Sequence, residues 1–219
     1  MTTDFRILVV GAGGRAGRAV TAEARARGHQ VTAVVRDLGR HRHLAADGVE
    51  LVAGDVTDAG RMAELAPGHA AAVHAVSPFS GPEQGFAGLD PEFFVKAADA
   101  LLGSGVPRPL FIGLAANLLD ATGRPVMEDP SRFPAFILPF ARAHTAGLDR
   151  LRAADPAPDW LMLTPPAGLD ATLPRTGRYR TGGDTAPPDD VPFSYADLAV
   201  AVLDEAERPR HHRTRISVF

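Results

Sequence analysis

The chain has no cysteine, which excludes a disulfide framework, a thiolate nucleophile and any cysteine-ligated metal. Lysine is almost missing too. Of 23 basic residues only Lys96 is lysine, leaving one residue able to act as a lysine acid, base or Schiff-base former. No run of about 18 apolar residues occurs, so a membrane-spanning helix is excluded and no membrane partner is expected. Neither sign of charge dominates: 23 basic against 26 acidic residues leave a net charge of −3, and no nucleic-acid partner is expected. Residues Met1 to Phe5 carry no basic segment leading into an apolar stretch. No signal peptide is therefore read, and a cytoplasmic location is the expectation.

What is present is 219 residues at 45% apolar content, enough to build one unstapled core. Strand and helix signals alternate along it. Branched apolar runs at 5–10, 30–35, 49–53, 70–76, 110–113, 160–164 and 214–218 read as strands. Helical patterns lie near 15–27, 38–46, 58–66, 92–102, 140–154 and 195–207, the first closed by Gly28. This order predicts one α/β domain over 1–219, doubly wound, with a mostly parallel sheet of about six to seven strands. Loops around 78–91, 114–139 and 165–192 are expected to face a small-molecule substrate. Trp160 and the Phe133, Phe136, Phe140 series read as core, the series also as a possible pocket wall.

The glycine cluster Gly11-Ala12-Gly13-Gly14-Arg15-Ala16-Gly17 follows the first strand and opens the first helix. In that context Gly11 serves the tight turn, and Gly13 and Gly14 leave room for a pyrophosphate. Gly17 lets the helix approach the strand, and the helix N-terminus presents free N–H groups to the phosphate. The glycines at 11, 14 and 17 follow G-x-x-G-x-x-G, with Ala16 where the G-x-G-x-x-G form has its last glycine. The prediction is a Rossmann dinucleotide site.

Arg36 ends the second strand, 19 positions after Gly17, where an NAD site would place an acid. Arg36, with Arg15 as a second cation, suits a 2′-phosphate, so NADP(H) is the expected cofactor. Asp37 is placed to cap the next helix. Asp55 could accept from the adenine amino group, beside the Val56 backbone, or could form a helix N-cap or a local Asx turn. Ser77 and Pro78 end the fourth strand and Gly113 the fifth, and all three are assigned to the cofactor.

These residues together resemble the atypical short-chain dehydrogenase/reductase family, in its NmrA-like NAD(P)H-binding branch, which includes the flavin/biliverdin-IXβ reductases. Thr176 to Asp184, Ser194 to Ala199 and Arg208 to His212 are similar to bacterial members of that branch. The resemblance covers nearly the whole chain and implies an NADP(H)-binding Rossmann core. Neither Tyr179 nor Tyr195 has lysine four places on, so the Tyr-x-x-x-Lys pair of ordinary short-chain dehydrogenases is lacking. Where those reductases carry a serine after the fifth strand, this chain reads Leu114 to Leu118, and their Pro-Pro-His appears as Pro165-Pro166-Ala167.

The remaining catalytic candidates are Asn117, able to hydrogen-bond a carbonyl or the nicotinamide amide, and His144, whose ordinary pKa near 6.5 suits proton transfer. The alternatives are a loop residue bonding backbone for Asn117 and a helix-surface position for His144. His41, His43, His211 and His212 lie in arginine-rich stretches and read as solvated, with no metal site. The expected activity is reduction of a small carbonyl or conjugated substrate by NADPH in a monomer or homodimer. A cofactor-binding sensor and a redox-neutral cyclase or isomerase are the alternatives.

Overall fold

Residues that alternate along each strand point to opposite faces of a sheet, and here both faces are apolar. A computed structural model describes residues 5–78, 88–187 and 191–219. The main strands are β1 (Arg6–Val10), β2 (Gln30–Val35), β3 (Val49–Ala53), β4 (Ala71–His74), β5 (Pro109–Ile112) and β6 (Leu161–Thr164). Shorter strands follow at β7 (Leu169–Asp170), β8 (Thr181–Gly182) and β9 (Phe193–Ser194), and the last is β10 (Thr214–Val218). The helices are α1 (Arg15–Ala26), α2 (Leu38–His41), α3 (Ala59–Leu65), α4 (Phe93–Leu102), α5 (Leu138–Arg152) and α6 (Tyr195–Glu207).

Eight strands form one sheet in the order β3-β2-β1-β4-β5-β6-β10-β8, and every pairing is parallel except β10 with β8. Ile7 and Val9 of β1 join α1 and α6 in one core, whereas Leu8 and Val10 join α3, α4 and α5 in the other. The chain is thus a single Rossmann-like domain with helices on both faces. Strand β8 takes the main sheet beyond the expected six or seven, because a two-residue strand in a Pro/Gly-rich loop carries no periodicity. The parallel pair β7–β9 stands apart. The helix expected at 38–46 is the single turn α2 followed by a 3₁₀ turn at 42–44, since none of these residues is buried and only Leu44 packs partly against the core. Phe136 is 61% exposed, on a 3₁₀ turn before α5, and so is not core, whereas Trp160 is buried. Parts of the expected loops, 79–87 and 188–190, lie outside the described residues. Among the described residues no helix is long and apolar enough to cross a membrane.

Two glycines at the start of α1 permit the first crossover. Gly11 has φ +89°, and its N–H donates to the Val34 carbonyl (3.0 Å), as does that of Ala12 (3.2 Å). At Gly17 a Cβ would strike the Gly11 carbonyl oxygen, so only glycine lets α1 lie this close to β1. Helix α1 lacks a side-chain cap, its N-cap being Gly14, whereas α2, α3 and α6 are capped by Asp37, Asp58 and Ser194. The uncapped end lies at the β1/β4 point where strand order reverses, the usual place for a ligand crevice.

At the opposite end of the sheet sits a buried ionic cluster. Arg108, just before β5, pairs with Glu205 (3.0 Å) and Asp159 (2.9 Å) and donates to the His211 carbonyl (2.8 Å). Glu205 is only 2% exposed. Burial would raise its pKa, but donors from Arg210 and His211 outweigh it and hold the carboxyl below the ordinary value. Arg108→Met would leave that carboxylate buried without its cation. A loss of about 3 kcal/mol in urea unfolding is expected.

Candidate cofactor and substrate site

Two cavities open at the carboxyl ends of the parallel strands. The first, about 290 Å³, is bounded by Gly11, Gly13 and Gly14 from the glycine loop, Val34 to Asp37 from β2 onward, and Gly54, Asp55 and Val56 beyond β3. Ala75, Val76 and Ser77 close it after β4. The second is about 870 Å³, and its walls are mainly apolar. Phe94, Leu114, Phe133, Phe140, Pro165, Pro166 and Leu198 supply much of that wall. Ala75, Val76 and Ser77 line both cavities, so the two meet over the end of β4.

The first cavity gathers seven of the residues assigned to the cofactor from the glycine loop and the strand ends: Gly11, Gly13, Gly14, Arg36, Asp55, Val56 and Ser77. Arg36 is exposed and has no ion pair among the described residues. Asp55 forms the Asx turn, its Oδ1 accepting from the Thr57 N–H (2.9 Å) and hydroxyl (2.8 Å), and it still faces the cavity. Gly17 lies beneath the loop as a packing residue. Pro78 lines neither cavity.

Arg15, Ala16 and Gly113 line the second cavity. Arg15 therefore does not accompany Arg36: the first turn of α1 swings it to the other side, where its guanidinium carbon sits 5.5 Å from the Tyr195 ring centroid. Asn117 lines neither cavity. It is 5% exposed, neither side-chain polar atom has a partner, and its carbonyl accepts from Arg215 (2.8 Å), which is itself held by Asp184 (2.7 Å). The 3₁₀ turn at 115–117 directs Asn117 inward, away from the pocket.

His144 does reach the second cavity, but as a buried residue and not on a helix surface. Burial drives its pKa down to about 4, only partly offset by backbone hydrogen bonding at His144 and Ile112. His74, at the end of β4 in the same wall, is pushed down to about 3 by burial and by His144. Both rings are neutral at pH 7, so the expected proton donor at that pH is not His144. Phe94 stacks obliquely on His144 at 4.3 Å between ring centroids and meets His74 edge-on at 6.1 Å.

Several lining residues escaped the sequence reading. Arg40 and His41 border the first cavity, and a Cβ on Gly13 would strike the His41 ring, so His41 is not merely solvated. Their place on the short turn that Asp37 caps, directly after Arg36, was the available signal. His211 bonds Glu205 (2.7 Å) and His212 bonds Asp159 (2.8 Å), both within the ionic cluster. Among the described residues no group of three or more His, Cys, Asp or Glu is arranged to hold a metal.

The glycine loop, the uncapped helix end and a free cation beyond β2 fit a nicotinamide dinucleotide. The NAD(P)H-binding family profile matches residues 11–209. The chain belongs to this family. Its resemblance to atypical short-chain dehydrogenases agrees with that membership. The uncharacterized protein YwnB of Bacillus subtilis is 32% identical over 227 residues, covering 98% of each chain. A Bacteroides thetaiotaomicron structure, provisionally named an epimerase, superposes with a TM-score of 0.84 at 30% identity, covering 99% of this chain and 97% of the other. A Streptococcus pneumoniae structure, provisionally named an NADH-flavin reductase, gives 0.80 at 26% identity over 98% and 99%.

The two buried histidines make acid stability a probe of the site. Unfolded imidazoles take up protons below the ordinary value of 6.5, whereas the folded ones resist to about 3 and about 4. The unfolded state then binds more protons, so stability falls as pH drops from 6.5. Each histidine is expected to remove about 2 kcal/mol between pH 7 and pH 5. Urea midpoints across that range check this, with a shallower slope for His144→Gln than for wild type.

Proposed function

We propose that the chain is an NADPH-dependent reductase acting on a small, largely apolar carbonyl or conjugated substrate. The observation that carries this reading is the junction of the two cavities at Ala75, Val76 and Ser77, one flanked by the glycine loop and arginines, the other walled by aromatic and aliphatic side chains. Cofactor phosphates belong with the glycine loop and the α1 N-terminus, and the substrate belongs in the apolar cavity, whose volume suits a small ligand. A bound nicotinamide supplies the hydride. The chain orients the acceptor between Phe94, Phe133 and Phe140 and excludes water from it.

The preference for NADPH over NADH rests on Arg36. Its guanidinium is unpaired among the described residues and stands at the end of β2, with Arg40 lining the same cavity. An acid at that place would repel a 2′-phosphate, and an arginine bonds it with charge-assisted hydrogen bonds. The similarity to a structure provisionally named an NADH-flavin reductase supports reduction as the reaction type and leaves the phosphate preference to Arg36.

Arg36→Ala is expected to weaken NADPH binding about 10-fold while leaving NADH binding little changed, as read by fluorescence titration. Unaltered NADPH affinity in that variant would remove the basis for the preference. Purified protein is also expected to oxidise NADPH with quinones, enones or aldehydes, followed at 340 nm, the nicotinamide absorbance band. Silence across all of these acceptors would sink the reductase reading.

A further inference from the structure

With both cavity histidines neutral, a reduced carbonyl oxygen still needs a proton. Only two tyrosines occur in the chain, and the fold uses them differently. Tyr179 is tied away from the site: its hydroxyl donates to Asp204 (2.8 Å) and accepts from Arg210 (3.1 Å). Burial and the Asp204 bond push its pKa up to about 12. Tyr195 lies in the wall of the apolar cavity, half-buried, and its hydroxyl has no hydrogen-bond partner among the described residues.

We infer that Tyr195 is the proton donor to the substrate's carbonyl oxygen, with Arg15 as the positioning charge beside it. Arg15 holds its guanidinium over the Tyr195 ring and has no ion pair among the described residues, so a full positive charge faces the group that gives up the proton. The helix turn that carries the ring is anchored. Ser194 and Asp197 bond one another across the first turn of α6, Oγ to Oδ2 at 2.9 Å and N–H to Oγ at 2.9 Å. Asp197 also accepts from the Thr176 and Gly177 N–H groups (2.9 and 2.7 Å), which anchors the start of α6 to the loop before β8. Rival donors fail on placement or chemistry. Lys96 is exposed, paired with Asp90 (2.7 Å) and outside the cavity, and the arginines do not release protons.

The inference rests on the reductase reading and supplies the acid that reading lacks. In the balanced step, the substrate carbon accepts the hydride and the π pair of the C=O bond moves onto oxygen. The Tyr195 Oη–H bond breaks as the new O–H bond forms, and solvent water then reprotonates the phenolate. An acceptor class follows from this geometry: an aromatic or conjugated carbonyl, its oxygen toward Tyr195 and Arg15 and its carbon framework against Phe94 and Phe140.

The test compares wild type, Tyr195→Phe and Tyr179→Phe. With the best carbonyl acceptor, Tyr195→Phe is expected to lose about 100-fold in kcat with KM little changed. Its NADPH affinity and thermal midpoint are expected to stay as in wild type, and Tyr179→Phe is expected to keep wild-type kcat. A readout without turnover uses calorimetry in the absence of cofactor. Tyr195→Phe should bind 1,4-naphthoquinone about 10-fold more weakly than wild type and naphthalene equally well. Undiminished kcat and undiminished quinone affinity in a Tyr195→Phe protein, with wild type active, would overturn the role of Tyr195 alone. Failure of wild type to oxidise NADPH with any acceptor would overturn the reductase reading and the proton transfer together.

Discussion

Helix α1 rests so closely on β1 that Gly17 touches the carbonyl of Gly11, and much of the molecule follows from that contact. It fixes the angle at which the first crossover leaves the sheet, with Gly11 and Ala12 both bonded to the Val34 carbonyl of the neighbouring strand. Because Gly14 offers no capping side chain, the first N–H groups of α1 stay available at the point where strand order reverses. The same turn sends Arg15 across to the apolar side, and Arg36 remains on the other. Two cavities of different character are thereby separated by the end of a single strand.

The sheet divides its polar residues between its ends. At the amino ends of β5 and β10, Arg108, Glu205, Asp159, His211 and His212 form mutually bonded groups, Glu205 fully enclosed among them. Such a cluster is costly to bury and costlier to break, so it binds α6 and two strands into one body. At the carboxyl ends, Arg15 and Arg36 are left without an ion pair and the Tyr195 hydroxyl without a hydrogen bond among the described residues. Unpaired polar groups at the mouth of an apolar cavity are the arrangement a ligand can complete. Burial acts on His74 and His144 in the opposite sense, making them neutral wall residues next to Phe94.

Much of this was written in local pattern. The glycine spacing with Gly17 at the helix start, the branched runs of β1 to β6, the cap at Asp37, and Arg36 at the end of β2 are short-range signals, and the structure places them as read. Local pattern failed where the outcome depended on distant partners. Asn117 follows β5 like a site residue, yet Arg215, almost a hundred positions away, takes its carbonyl and the turn faces it inward. His144 sits on a helix that looks half-polar, yet α4 brings Phe94 against it and closes off water.

By itself, the sequence determined the doubly wound order of elements, the dinucleotide loop and the cation beside it. Those depend on periodicity and turn chemistry among near neighbours, which the chain carries wherever it folds. Only the tertiary structure decided that Arg15 serves the apolar cavity, that His144 is neutral and that the free tyrosine is Tyr195 and not Tyr179. Those outcomes are set by which side chains from α4, α6 and the loop before β8 meet in space, and burial and pairing are properties of that meeting.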